Sequence, residues 1–142
     1  MIIPDVNLLV YAVFDGYGLH QRAATWLTET LNGSEEFGLT TPTIFGFVRI
    51  GTSGRVHEHP LTMAAAAAYV HEWLGRPQTK LLAPGREHVR LTMSLLEGLG
   101  TGANLTTDAQ LAAFALEFNA VLHSNDSDFG RFPGITWVNP LT

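Results

Sequence analysis

The sequence predicts an α/β domain, with a short parallel sheet covered by helices on both faces. Two observations carry this. Short apolar runs suited to buried strands alternate with longer segments whose apolar residues recur at helical spacing. Three aspartates also fall at equivalent places: Asp5 ends the first strand candidate, Asp126 follows the "AVLHS" strand candidate, and Asp108 opens the helix between them.

Each element has local signals. "MIIPD" reads as a buried strand, and "VNLLVYAVF" offers a helical face through Leu8, Leu9, Ala12 and Val13 until Gly16 and Gly18 break it. From His20 to Leu31, Ala23, Ala24, Leu27 and Leu31 share one face, with Gly33 where a cap belongs. "FGLTT" (37–41) is a strand. Pro42 suits the first turn of a helix carrying Ile44, Phe45, Val48 and Ile50 up to Gly51 and Gly54. Thr62 can cap the alanine-rich helix "MAAAAAYVHEWLG"; "TKLLA" (79–83) is a strand and "REHVRLTMSLLEGLG" a helix. "TTDAQLAAFALEFN" is the last helix, and "AVLHS" and "ITWVN" are the last strands.

Composition narrows the function classes. The 142 residues, 46% apolar and 15% charged, suit one domain spanning 1–142. Without cysteine the chain can build neither disulfides nor thiolate metal sites. The apolar amino terminus has no basic leader and is broken by Pro4, Asp5 and Asn7. No apolar run approaches membrane-spanning length, so a cytoplasmic protein without membrane contact is expected. A net charge of −5 disfavours a nonspecific nucleic-acid coat protein, but not an enzyme that meets phosphate through metal ions. Seven of the eight basic residues are Arg, suited to bidentate phosphate contacts; the exception is Lys80.

In open parallel sheets, ligands bind beyond the carboxyl ends of the strands, where Asp5, Asp108 and Asp126 would converge. Converging carboxylates repel one another unless a cation neutralises them, and an all-oxygen set suits Mg²⁺, or Mn²⁺, better than Zn²⁺. Each acid also has a plainer reading. Asp5 fits a helix cap, Thr107 and Gln110 form a capping box around Asp108, and Asp126 and Asp128 sit among turn formers. Those readings leave unexplained why the three share one end of the sheet.

The segments "PDVNLLVYA" (4–12), "TTDAQLAAFALEFNA" (106–120), "HSNDSDFGRF" (123–132) and "WVNPL" (137–141) together resemble a PIN-domain ribonuclease, specifically the VapC-type toxins of bacterial toxin–antitoxin systems. The resemblance runs nearly end to end. It implies a three-layer α/β/α PIN-like domain around a short, mostly parallel sheet, and a metal-dependent endoribonuclease that cuts structured RNA, transfer or ribosomal. In such proteins the aspartates matching Asp5 and Asp108 hold Mg²⁺ and the one matching Asp126 completes the acidic pocket; Asp128 is a weaker candidate for a second metal or a water. A homodimer and a cognate antitoxin protein are implied as partners beside the RNA substrate. The implied chemistry is metal-assisted phosphodiester hydrolysis, with Asp126 helping to position the attacking water and Asn7, Thr106 or Ser124 orienting carboxylates or waters.

One departure stands out. PIN nucleases commonly carry a further Glu where this chain has Phe47, and no acid lies between Glu36 and Glu58. A subgroup of these toxins shares the Phe-x-Arg pattern of Phe47 and Arg49. Arg49 reads equally as a phosphate contact and as a surface ion pair. The chain's rival reading is a catalytically impaired PIN-like module that binds RNA or protein. A response-regulator receiver fits poorly, since it needs adjacent acids after the first strand and a late Lys. His57 and His59 form a His-x-His pair without a third ligand and read as solvated loop, while His123 reads as a packed strand end. His20, His71 and His88 read as solvent-facing. Trp26, Tyr69 and Trp73 read as packing residues rather than base-stacking platforms.

Overall fold

A computed structural model describes residues 1–142. Five strands form one sheet: β1 (Ile2–Pro4), β2 (Phe37–Thr40), β3 (Thr79–Leu82), β4 (Val121–His123) and β5 (Thr136–Val138). Their order is β3-β2-β1-β4-β5, and each neighbouring pair is parallel. From β1 the chain moves outward to β2 and β3, then returns to the other side of β1 at β4. The reversal therefore opens a crevice between β1 and β4 at the carboxyl ends of the strands.

Six helices flank the sheet: α1 (Val6–Val13), α2 (His20–Asn32), α3 (Thr41–Gly51), α4 (Met63–Leu74), α5 (Arg86–Leu99) and α6 (Thr106–Glu117). Strand alternation sorts them into layers. Ile2, Phe37 and Leu39 face one side, where α1 to α4 bring Leu8, Leu9, Trp26, Leu27, Ile44, Phe47 and Trp73. Ile3, Leu82 and Leu122 face the other, where α5 and α6 bring Leu95, Leu111 and Phe114, with Phe129 from the loop after β4. The result is a three-layer α/β/α arrangement around a fully parallel sheet. Because both faces are covered, β1 and β2 are buried throughout rather than alternating.

Local signals act where the sequence places them. Thr40 and Thr62 accept the backbone N–H groups of Thr43 and Ala65, capping α3 and α4, and Pro42 lies in the first turn of α3. Gly100 ends α5 in the left-handed region at φ 71°. Gly38 sits in a crowded spot: a Cβ there would stand 2.8 Å from Met1 Sδ and 2.9 Å from Leu82 Cδ1, so those side-chain ends would have to shift. Gly33, by contrast, ends α2 in an extended conformation.

Three readings are corrected. On α3 the buried aromatic is Phe47, fully enclosed, whereas Phe45 is 67% exposed. Apolar residues surround α3, and contact with α4 selects the face: Phe47 meets Trp73 edge-on at 4.8 Å between ring centroids and Tyr69 at 6.2 Å. His88 is buried and stacks on Phe114 at 3.9 Å. His57 is a packed residue: it stacks on Phe14 at 3.8 Å, with Tyr17 Oη on its Nε2 at 2.9 Å and Ile50 O on its Nδ1 at 3.2 Å. Trp26 and Trp73 are core residues, as expected, while Tyr69 remains partly exposed. No helix is long and apolar enough to cross a membrane.

Removing the Phe47 ring would leave a cavity beneath α4. Phe47→Ala is expected to lower the unfolding free energy by about 3–5 kcal/mol in chemical denaturation. A loss under about 1 kcal/mol would show that the aromatic cluster is not a core element.

Candidate active site

Asp5 is held at the mouth of the β1–β4 crevice by both backbone and side chain. Its N–H donates to His123 O at 2.8 Å, extending the parallel pairing by one residue. Its side chain is almost wholly buried: Oδ1 accepts Val6 N–H at 2.7 Å and Oδ2 accepts the Ser124 hydroxyl at 2.7 Å. The cap reading of Asp5 is therefore correct, yet it describes only one of the two carboxylate oxygens.

Ser124 is the hub of the crevice. Fully buried, it donates its single proton to Asp5 and accepts from Asp126 N–H at 2.9 Å and from Asn7 Nδ2 at 3.4 Å. Asp126 in turn opens a short 3-10 turn, Ser127–Arg131, and its Oδ1 accepts Asp128 N–H at 2.9 Å. Phe129 is fully buried beneath this turn and fixes it to the core. β5 braces the same loop: Trp137 Nε1 donates to Ser124 O at 3.0 Å and Asn139 Nδ2 to Asn125 Oδ1 at 3.1 Å. His123 is packed, as expected, with Trp26 Nε1 donating to its Nδ1 at 3.1 Å; burial lowers its pKa.

Asp108 sits half-buried in the first turn of α6. The capping box predicted around it is absent. A cap residue must be extended, but a 3-10 turn (Ala103–Leu105) runs directly into α6 and leaves Leu105 helical, so no side chain caps the helix. Burial, then the charges of Asp5, Asp126 and Asp128, push the Asp108 carboxyl up to about 6. Burial also raises the Asp5 carboxyl against its two hydrogen bonds, with the Asp126 charge adding to the rise. The four sequence-predicted acids are thus brought together electrostatically.

The acidic side chains of the crevice offer oxygen atoms, and their excess negative charge is of the kind a hard divalent cation relieves. No three acidic or imidazole side chains close into a ready ligand cage. Mg²⁺ as a class binds through one or two carboxylates and keeps waters and substrate phosphate at its other positions. Asn7 Oδ1 is buried and lacks a donor, the one unsatisfied acceptor of the Ser124 network. Thr106 makes no hydrogen bond to either carboxylate, whereas Asn7 and Ser124 do bear on the site. The aspartates line none of the five main surface hollows. One of them, about 470 Å³, lies between α2 and α4. The acidic crevice is open to solvent at Asp128 rather than an enclosed pocket.

Fold and site together define a class. Residues 2–135 match the PIN domain, and the chain belongs to the PIN-domain family. It is 51% identical over 141 residues to Ribonuclease VapC33 of Mycobacterium tuberculosis, covering 99% of each chain. Among solved structures it resembles VapBC-1 from nontypeable Haemophilus influenzae, with a TM-score of 0.71 at 18% identity and full coverage of both chains. It also resembles Mycobacterium tuberculosis VapC20, described as a Sarcin-Ricin loop cleaving toxin, with a TM-score of 0.69 at 16% identity, covering 99% of this chain and 100% of that one.

The Asp108 shift has a testable sign. In the unfolded chain this carboxyl ionises near ~4 and in the fold at about 6, so the fold binds the proton more tightly. Its stabilising contribution is present below the unfolded value and is lost as pH rises through about 6. In thermal melts of EDTA-treated protein, Asp108→Asn is expected to raise the midpoint at about pH 8, with the gain shrinking toward about pH 5. An equal change at both values would contradict the electrostatic origin of the shift.

Proposed function

We propose that this protein is the toxin of a toxin–antitoxin pair, a Mg²⁺-dependent endoribonuclease that cuts structured RNA, transfer or ribosomal, by metal-assisted phosphodiester hydrolysis. What supports this reading is the buried Asp5–Ser124 pair at the β1–β4 crevice of a PIN fold, with the charges of Asp5, Asp126 and Asp128 bearing on Asp108. Family membership and the ribonuclease naming of the VapC relatives support it.

Asp5 and Asp108 would hold the cation, with Asp126 and Asp128 completing the acidic rim. When bound, the ion supplies the positive charge that polarises the scissile phosphate. The protein's own part is positional. Val6 N–H and Ser124 fix the plane of the Asp5 carboxylate, so it does not reorganise when substrate arrives. Through Ser124 the same hydroxyl sets the backbone of Asp126, whose remaining oxygen orients the attacking water.

Substrate backbone needs cationic contacts, and four side chains can supply them. Arg76, Lys80 and Arg90 are engaged by Glu72, Glu36 and Glu87, and Arg22 donates to Leu141 O, whereas Arg49, Arg55, Arg86 and Arg131 are exposed and outside any ion pair. The ion-pair reading of Arg49 is therefore set aside in favour of a phosphate contact. For the antitoxin, the α2–α4 groove supports a docked partner segment: Leu27, Leu31, Tyr69 and Trp73 form its apolar floor and Glu72 and Arg76 its charged rim. The acidic crevice also suits an inserted Arg or Lys of such a partner. We also include the family's homodimer in this reading.

The test is cleavage of total cellular RNA by antitoxin-free protein, with Mg²⁺ or EDTA, followed by sequencing of new ends. Discrete cuts are expected from the wild type with Mg²⁺, and Asp5→Asn is expected to lose at least ~100-fold in rate while its circular dichroism stays unchanged. Wild-type cleavage by folded Asp5→Asn would sink the site assignment. Absence of cuts with either Mg²⁺ or Mn²⁺ would favour the non-catalytic binding module, for which Phe47 is the structural argument.

A further inference from the structure

The 3-10 turn after β4 has an outer face that the chemistry above leaves unused. Ser127–Arg131 turns once every three residues, so side chains three apart lie over one another. Two such pairs divide it. Phe129, with Phe132 where the turn ends, forms a buried inner face, the ring centroids 5.9 Å apart. Asp128 and Arg131 are both exposed and share the outer one. Arg131 is thus the one basic residue carried on the same short element as an acid of the crevice. The Asp128 charge bears on Asp108, so this element borders the crevice.

An acid and a base three residues apart can meet on a helical surface. On α5, Glu87 and Arg90 have that spacing in that order and bond at 2.6 Å. Arg131 joins no ion pair, with Asp128 or with any other acid, so its planar fork of donors is left to solvent. The backbone beneath it is held firmly. Asp126 Oδ1 accepts Asp128 N–H at 2.9 Å, Phe132 N–H closes on Phe129 O at 3.2 Å, and Trp137 and Asn139 of the β5 segment brace the preceding loop. A side chain mounted on so fixed a backbone loses less freedom when it takes a ligand. The other unpaired arginines lie elsewhere: Arg49 and Arg55 on α3 and the loop following it, and Arg86 at the start of α5 after β3, two strands out from β1.

An unpaired, exposed guanidinium suits a phosphate, which it meets with two parallel hydrogen bonds. Asp128 lies one turn nearer the acids, ~6 Å back along the turn. The phosphate that Arg131 meets is therefore a neighbour of the one held over the carboxylates. Resting on the ribonuclease reading above, we propose that Arg131 anchors the RNA: its guanidinium takes the backbone phosphate beside the scissile one, on the β4–β5 side of the crevice, and so sets the register of the strand over the acids. Asp128 repels phosphate and leaves Arg131 as the attractive position of the turn.

The experiment is retention of labelled bulk transfer RNA and ribosomal RNA on nitrocellulose by the full chain across a KCl series, with Ca²⁺ in place of Mg²⁺ to hold hydrolysis off. Arg131→Ala, its fold checked by circular dichroism, is expected to bind ~10-fold more weakly at low salt. The slope of log affinity against log salt is expected to become shallower by ~0.7, the mark of one phosphate contact on a single strand. Arg131→Lys is expected to recover the slope and only part of the affinity, since it keeps the charge without the fork. Arg90→Ala, an equal change of charge at a paired residue, is expected to keep the wild-type slope. An unchanged slope in Arg131→Ala, or a loss no greater than that of Arg90→Ala, would overturn the anchor. Cleavage with Mg²⁺, run beside it, separates the two readings. A wild type that binds RNA through Arg131 and cuts nothing would support the anchor and overturn the nuclease, whereas a wild type that retains no RNA would overturn both. A lowered kcat in Arg131→Ala with KM unchanged would overturn the anchor alone.

Discussion

Parallel pairing of β1 with β4 is the constraint on which the site depends. It sets Pro4 opposite His123, so that the next residue of each strand, Asp5 and Ser124, emerges at the same height. The Asp5 N–H and the Ser124 hydroxyl then join two segments 119 residues apart into one polar seam. A slip of one residue would turn Ile2 and Ile3 to the wrong faces and separate the serine from the aspartate together. Fold stability and site geometry are therefore set by the same hydrogen bonds.

The seam also explains how an acidic protein can act on a polyanion. Burial and mutual repulsion raise the carboxyls of Asp5 and Asp108, so the crevice stores unfavourable charge that a divalent cation relieves. In the proposed function, phosphate attraction falls to a bound cation, and the exposed arginines would need only to guide the flanking backbone. A net charge of −5 disfavours indiscriminate nucleic-acid binding, which is consistent with the selective cleavage proposed.

Much of this was legible in the sequence because its signals are local. The helical spacing of Ala23, Leu27 and Leu31 and the cap Thr62 each act within a few residues, and so does the aspartate that ends a strand and begins a helix. What was not legible depends on distant partners. α3 carries Ile44, Phe45, Phe47, Val48 and Ile50 around its whole circumference, and only Trp73 from α4 decides that Phe47 goes in and Phe45 out. His88 is buried because Phe114 lies opposite it. The Thr107–Gln110 box fails because the preceding 3-10 turn already carries the chain into α6. Ser124 was named only among possible orienting residues, because its bond to Asp5 spans nearly the full chain.

The central claim is that the crevice is built to be neutralised by a divalent cation. A cation that binds only the folded state raises its thermal midpoint, which makes the shift a direct report on the site. The deciding measurement is the thermal midpoint of EDTA-stripped protein with and without Mg²⁺ at about pH 8, beside Asp5→Asn. Mg²⁺ is expected to raise the midpoint of the wild type and to leave the variant unmoved. A wild-type midpoint indifferent to both Mg²⁺ and Mn²⁺, or an equal rise in the variant, would contradict it.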